Sequence, residues 1–235
     1  MSSKNLKEQI VHLAISIIGL VSKNAAVATF RQTNAIRLVP LTWVIAYLGK
    51  QVSKRNIKQY IDIGTNDGFE LKKIVKSIGP FSEVHCFEPN LAIATKLESE
   101  LKDVHVHAIA LGKSSCEAIL STPIKVDGEH QSRAASIVFA HKSNAYGNDA
   151  QKVIVKNPRD TSVNWEVPSL IKIDAEGAEL DILNELIDMI DSNSVVCIED
   201  HWAIMEQSEQ KTYKDALAQV ISRLQYKGIH VLKWM

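Results

Sequence analysis

Acidic residues collect in this sequence at the places where an apolar run stops. Residues 60–70 read YIDIGTNDGFE: a short apolar run carrying Asp62, then Gly64, Asn66 and Gly68. Three more runs stop the same way, at Phe87-Glu88-Pro89, at Asp174-Ala175-Glu176-Gly177-Ala178-Glu179, and at Glu199-Asp200-His201. If the runs are strands of an open α/β sheet, their carboxyl ends are where a ligand binds. Carboxylates there argue against a phosphate ligand, because two anions repel. A Walker loop needs a Lys and a Ser or Thr among its glycines, and none is present. The dinucleotide fingerprint sets its outer glycines five apart with a third between them. Here Gly64 and Gly68 are four apart, and Asn66 stands between them. A ligand with ribose hydroxyls and a positive charge suits the residues better. Glu88 stands twenty positions after Gly68, where an acid that grips a ribose is expected. A carboxylate accepts two charge-assisted hydrogen bonds from a cis-diol. S-adenosylmethionine has this chemistry: a sulfonium, an amino group, a ribose and no phosphate.

Those residues need a scaffold, and the periodicity supplies one. Pro40 precedes a helix near residues 41–51. Then strands alternate with helices. Gln59–Ile63 is predicted as a strand, Leu71–Ile78 as a helix closed by Gly79-Pro80, and Val84–Phe87 as a second strand. Asn90 caps a helix over 91–102, and Val104–Val106 follows as a third strand. Leu170–Ile173 and Val195–Ile198 are the fourth and fifth strands. Between them a helix over 178–190 carries Leu180, Leu183, Ile187 and Ile190 on one face. A helix over 213–224 and a strand over 228–234 complete the pattern. Short buried strands alternating with helices predict a doubly wound, mostly parallel sheet with both faces covered. Residues 112–166 break the rhythm, with two strand-like pieces near 135–140 and 153–156. So long an excursion is usually functional, which makes it the candidate substrate region.

The bulk numbers are consistent with one domain over 58–235, preceded by a helical segment over 1–57. The chain has 235 residues, 46% of them apolar, which is enough for a sizeable core. Its 27 basic and 27 acidic side chains balance, but unevenly. Residues 1–58 hold nine Lys and Arg against Glu8 alone, a net charge of +8. That segment either packs on the acidic remainder or touches an anionic partner. Leu6, Ile10, Leu13, Ile17 and Leu20 make a helical stripe, expected to cover the core or to lie on a membrane surface. The run imitates a signal peptide but contains His12 and Ser16 and falls short of the roughly 20 apolar residues that span a bilayer. Three cysteines without metal-ligand or disulfide spacing fit a reducing, cytoplasmic compartment. Few, scattered aromatics argue against a nucleic-acid stacking platform.

The segments IDIGTNDG, CFEPN, LIKIDAEGAELDIL and IEDH, taken in order, resemble the FkbM-type methyltransferases, class I enzymes that use S-adenosylmethionine. The similarity runs from about residue 58 to about 201, and IKIDAEGAE is its most specific piece. The resemblance implies a seven-stranded, Rossmann-like sheet and methyl transfer, usually to a hydroxyl oxygen of a sugar, a glycan or another small molecule. It implies that Asp62, Gly64, Asn66 and Gly68 surround the methionine part of the cofactor, that Glu88 holds the ribose, and that Ile109 and Ala110 border the adenine. Many class I enzymes place an Asp at the last of these positions. HAIALG has none, which would leave adenine to backbone and apolar contacts.

Transfer to an alcohol needs close orientation of two reactants and a base for the departing proton. His201 is the first choice of base, since histidine titrates near neutral pH. Asp174 and Glu176 either share that role or orient the acceptor and stabilise the sulfonium. Plainer roles compete: a backbone hydrogen bond for His201, and a helix dipole complemented by Glu176 and Glu179. Asp174, Glu176, Glu199 and His201 together would also suit a divalent metal, which the resemblance does not require, and none is expected. Two other functions compete: an NAD-type oxidoreductase on a similar sheet, against which the glycine spacing counts, and a non-catalytic protein docking on membrane or anionic polymer through its basic helices.

Overall fold

Five consecutive residues, Gln59–Ile63, are buried on both sides and form β1, the central strand. In this computed structural model the described residues are 41–122, 135–137, 150–201 and 207–233. The expected amphipathic helix over residues 6–20 lies outside them, as does most of the expected strand at 135–140. The chain runs α1 (Leu41–Lys54), β1, α2 (Phe69–Ile78), β2 (Glu83–Phe87), α3 (Leu91–Glu100) and β3 (His105–His107). It continues through β4 (Ala110–Leu111), β5 (Cys116–Ser121), β6 (Ala150–Lys156), β7 (Ser169–Ile173), α4 (Glu179–Leu186), β8 (Val195–Ile198), α5 (Gln207–Tyr226) and β9 (His230–Lys233).

Six strands form one sheet in the order β3-β2-β1-β7-β8-β9, and every neighbouring pair is parallel. The order reverses between β1 and β7, so the sheet is doubly wound and its crevice opens beyond the carboxyl ends of those two strands. Seven strands were expected; the described residues contribute six to this sheet. The alternation of side chains along each strand sorts the core into two layers. Ile61, Ile63, Ile171, Ile173 and Ile198 face α4 and α5. Tyr60, Cys86, Leu170 and Cys197 face α1, α2 and α3. Burial on both faces accounts for the near-continuous apolar runs in the sequence. Among the described residues no helix is long and apolar enough to cross a membrane.

The excursion after β3 builds a second sheet of three strands, β4-β6-β5. Its β5 and β6 pair antiparallel over six residues, from Cys116 opposite Val155 to Ser121 opposite Ala150. Asn157 ties this piece to the main domain. Its side-chain amide donates to the Lys113 carbonyl at 2.7 Å and to Glu185 at 3.0 Å. Trp165 lies beneath Phe87, ring centroids 6.3 Å apart, and its indole N–H reaches the Pro158 carbonyl.

At the other edge three histidines stack. His85 Nδ1 lies 3.1 Å from His107 Nε2, His105 stacks on His85, and Phe87 stacks on His107. Burial, and then the charges of the neighbouring histidines, hold His107 down to about 4. His85 is also lowered, by burial first. A histidine lowered in the fold stays neutral while the unfolded chain takes up protons, so its contribution is present above about pH 6.5 and is lost as pH falls toward 4. Thermal melts between pH 7 and pH 4 are expected to show a falling midpoint. His107→Phe, which keeps the stack, should flatten that fall; parallel curves for the two proteins would exclude the role of this cluster.

Candidate functional site

The loop after β1 is shaped by what Gly64 lacks. Gly64 has φ +79°, and a Cβ there would lie 1.7 Å from the Asp174 carbonyl oxygen. The loops after β1 and β7 therefore touch backbone to backbone. The Asp174 N–H donates to the Ile63 carbonyl at 2.9 Å, and the N–H groups of Gly64 and Thr65 both donate to the Phe87 carbonyl. Asn66, at φ +50°, turns its N–H onto Glu88 Oε2 at 2.9 Å, and the Asn90 N–H bonds Glu88 Oε1 at 2.8 Å. Glu88 is thus oriented by two backbone donors. Burial raises its pKa, and the two N–H groups offset part of that rise.

These loops enclose a cavity of about 300 Å³, at the lower end of what small-molecule sites occupy. Of the residues expected at the cofactor, Gly64, Asn66, Glu88, Ile109 and Ala110 line it, as do Asp174 and Glu176. The excursion supplies part of the wall through Leu120, Ala135 and Ile137. Two expectations need correction. Gly68 is not on the wall; at φ +72° it begins α2, and a Cβ there would press on Leu97 of α3 at 2.7 Å. Its glycine serves helix packing. Asp62 is not on the wall either. Strand alternation points it with Tyr60 toward the helices, where the Tyr60 hydroxyl donates to Oδ2 at 2.9 Å. Its Oδ1 has no hydrogen-bond partner and lies 3.6 Å from Lys172 Nζ. Burial raises the Asp62 pKa, with Lys172 and Tyr60 opposing.

Lys172 was absent from the sequence-based candidates. It sits opposite Asp62 in the β1–β7 register and is 3% exposed. Its ammonium lies 3.1 Å from Glu70, 3.3 Å from Asp174 Oδ2 and 3.6 Å from Asp62. Burial pushes its pKa down, but three carboxylates outweigh that and raise it. Part of the acidity at the strand ends is therefore neutralised by a resident cation. One signal was available: a lysine inside an otherwise apolar buried run is costly without partners.

Glu179 proves to be a second organising residue. It is fully buried and accepts hydrogen bonds from Ala175 N–H, Gly177 N–H, the Tyr213 hydroxyl and His201 Nδ1, the last at 2.8 Å. Burial would raise its pKa; the His201 contact and the backbone donors lower it on balance. Its role thus exceeds the dipole effect expected of it, and Tyr213, twelve residues beyond His201, gave no sequence signal of belonging here.

His201 lies behind the wall rather than on it. Its Nε2 faces Glu176 at 3.5 Å, Asp174 at 3.6 Å and Glu199 at 3.9 Å. Burial alone would lower its pKa, but Glu179, Glu176 and Asp174 together push it up to about 9. A rise in that direction favours the imidazolium, the form in which neither ring nitrogen has a lone pair for an acceptor's proton. Glu176 is pushed up to about 7, chiefly by burial and then by its acidic neighbours against the opposing His201 charge. Glu199, also on the wall, rises to about 7 by burial and by the charge of Asp174. Glu176 takes the left-handed conformation, φ +46°, and its carbonyl accepts the Ser136 hydroxyl at 2.8 Å.

Residues 22–232 match the family described as Vibrio cholerae RfbT protein. No curated protein matches the chain. A solved structure of the methyltransferase FkbM from Methylobacillus flagellatus KT aligns with a TM-score of 0.46 at 17% identity, over 71% of this chain and 37% of that one. The chain thus spans little more than a third of that protein's length.

Gly64→Ala is expected to cost at least about 1–3 kcal/mol from the left-handed backbone alone, with the clash against Asp174 added. Urea unfolding measures this. Unchanged stability would mean that the two loops do not meet as described.

Proposed function

We propose that this chain, which belongs to the Vibrio cholerae RfbT protein family, is a methyltransferase that draws its methyl group from S-adenosylmethionine. The acceptor is a hydroxyl of a sugar, a glycan or another small molecule. The observation that carries the reading is Glu88, a carboxylate on the cavity wall already aimed by two backbone N–H groups. Each of its oxygens keeps a lone pair, enough to take both hydroxyls of a ribose.

The remaining residues suit the same cofactor. Ile109 and Ala110 offer an apolar wall to an adenine, and Gly64 lets the chain pass close. The carboxylates of Asp174, Glu176 and Glu199 on the cavity wall favour a ligand bearing positive charge. Among the residues lining the cavity the one basic side chain is Lys172, and three acids hold it. That is a poor setting for a pyrophosphate and counts against the oxidoreductase alternative.

When bound, the cofactor supplies a methyl carbon activated by the neighbouring sulfonium. The protein's own contribution is arrangement. Glu88 fixes the nucleoside end, while Asp174 and Glu176 orient the acceptor hydroxyl. Glu199, another carboxylate of the cavity wall, receives the hydroxyl proton. His201, held as an imidazolium by Glu179, keeps the three carboxylates from repelling one another. Orientation of this kind can supply about 7–11 kcal/mol of a barrier.

Calorimetric titration should show binding of S-adenosylmethionine and of S-adenosylhomocysteine and none of NAD; binding of NAD alone would overturn the reading. Glu88→Gln keeps the shape of the side chain and removes its charge. Charge-assisted bonds are worth about 1.5–3 kcal/mol, so affinity for S-adenosylhomocysteine should fall about 10–100-fold. An unchanged affinity would remove Glu88 from the nucleoside site.

A further inference from the structure

The second nitrogen of His201 is surrounded in a way that a structural imidazolium does not need. Glu179 alone, at 2.8 Å from Nδ1, would satisfy one charge. Yet Nε2 also faces Glu176 Oε2 at 3.5 Å and Asp174 Oδ1 at 3.6 Å. N–H···O bonds are shorter, about 2.7–3.2 Å. Donors sharing one ion at about 2.1 Å each lie about 3.0–3.4 Å apart for right-angled to tetrahedral geometry. The gaps around Nε2 are close to that spacing, and the ligand atoms of Asp174, Glu176 and His201 all lie within 4.8 Å of one another.

We propose that Asp174, Glu176 and His201 form a binding site for one divalent cation on the wall of the cavity. Three elements deliver the donors: the end of β7, the left-handed turn at Glu176, and the end of β8. Asp174 divides its carboxylate, giving Oδ2 to Lys172 and leaving Oδ1 for the site. Outside the donor set stands the independent feature that points to a metal. Glu179 is 0% exposed and grips Nδ1, while the Tyr213 hydroxyl and the Gly177 N–H hold Glu179 in turn. A buried carboxylate on the far nitrogen is what fixes the ring and tautomer of a metal-bound histidine. One imidazole with two carboxylates suits Mn²⁺ and similar hard or borderline ions. The cation displaces the Nε2 proton to solvent and takes over its charge among the carboxylates; without the ion His201 is the imidazolium described above. Its use in catalysis rests on the methyltransferase reading: an acceptor hydroxyl held by the ion gives up its proton more readily. The binding site itself does not depend on that reading.

The test uses the full chain, stripped with EDTA and then titrated with MnCl₂, followed by calorimetry and by electron spin resonance. One Mn²⁺ per chain is expected, with hyperfine coupling to an imidazole nitrogen in the wild-type protein. Glu176→Gln and His201→Ala should each weaken binding at least about tenfold. Glu179→Gln, which touches no ion, should weaken it about 10–100-fold. Failure of wild type to bind Mn²⁺, absence of the nitrogen coupling, or equal binding by all variants would overturn the site. The coupling is read on wild type, so a variant that fails to fold leaves the test intact. S-adenosylhomocysteine titrated into the EDTA-treated protein separates the two proposals. Its binding without any Mn²⁺ binding rejects the metal site and leaves the methyltransferase reading standing. Mn²⁺ binding without it does the reverse.

Discussion

One contact sets the geometry of the whole crevice: the backbone of Gly64 against the carbonyl of Asp174. No side chain fits between them, since a Cβ would lie 1.7 Å from that oxygen. Because the loops after β1 and β7 meet there, the two strands can stay paired to their last residues and still open a pocket beyond. Ile63 and Ile173 remain in register, and the Asp174 N–H closes the ladder onto Ile63. Everything that faces the cavity from this side, Asn66 with Glu88 and Asp174 with Glu176, hangs from that closure.

The second organising fact is electrostatic. Ionised groups are expensive to bury unless each is paired and hydrogen-bonded. This fold meets the requirement with two internal cations placed on opposite sides of Asp174. Lys172 serves Asp62, Glu70 and one oxygen of Asp174; His201 serves Glu179 and faces Glu176, Glu199 and the other oxygen. Acids still outnumber cations on the wall. Burial first, and then repulsion within that surplus, drives Glu176 and Glu199 up to about 7.

The small sheet plays a different part. Its strands pair with each other rather than with the main sheet, so it behaves as a cover built beside the crevice. Leu120, Ala135 and Ile137 add apolar wall to the cavity, while Asn157 anchors the cover to α4 through Glu185. The cavity wall therefore combines apolar side chains from the cover with carboxylates from the strand ends.

Much of this was written in local residue patterns. The alternation of buried runs and helical stripes was enough to place β1, β2, β7 and β8, because a strand covered on both faces must be apolar throughout. The acids at the strand ends followed from those boundaries, and Gly64, Asn66, Glu88, Ile109 and Ala110 do line one cavity. What only the tertiary structure decided was where side chains point and what they meet. Asp62 turns toward the helices by strand parity, and its partner Lys172 comes from a strand more than a hundred residues away. The His201 pKa rises because Glu179, twenty-two residues earlier, is folded beneath it. Residue type and spacing carry the periodicity of a chain; the charge state of a buried group depends on neighbours that only folding brings within a few ångströms.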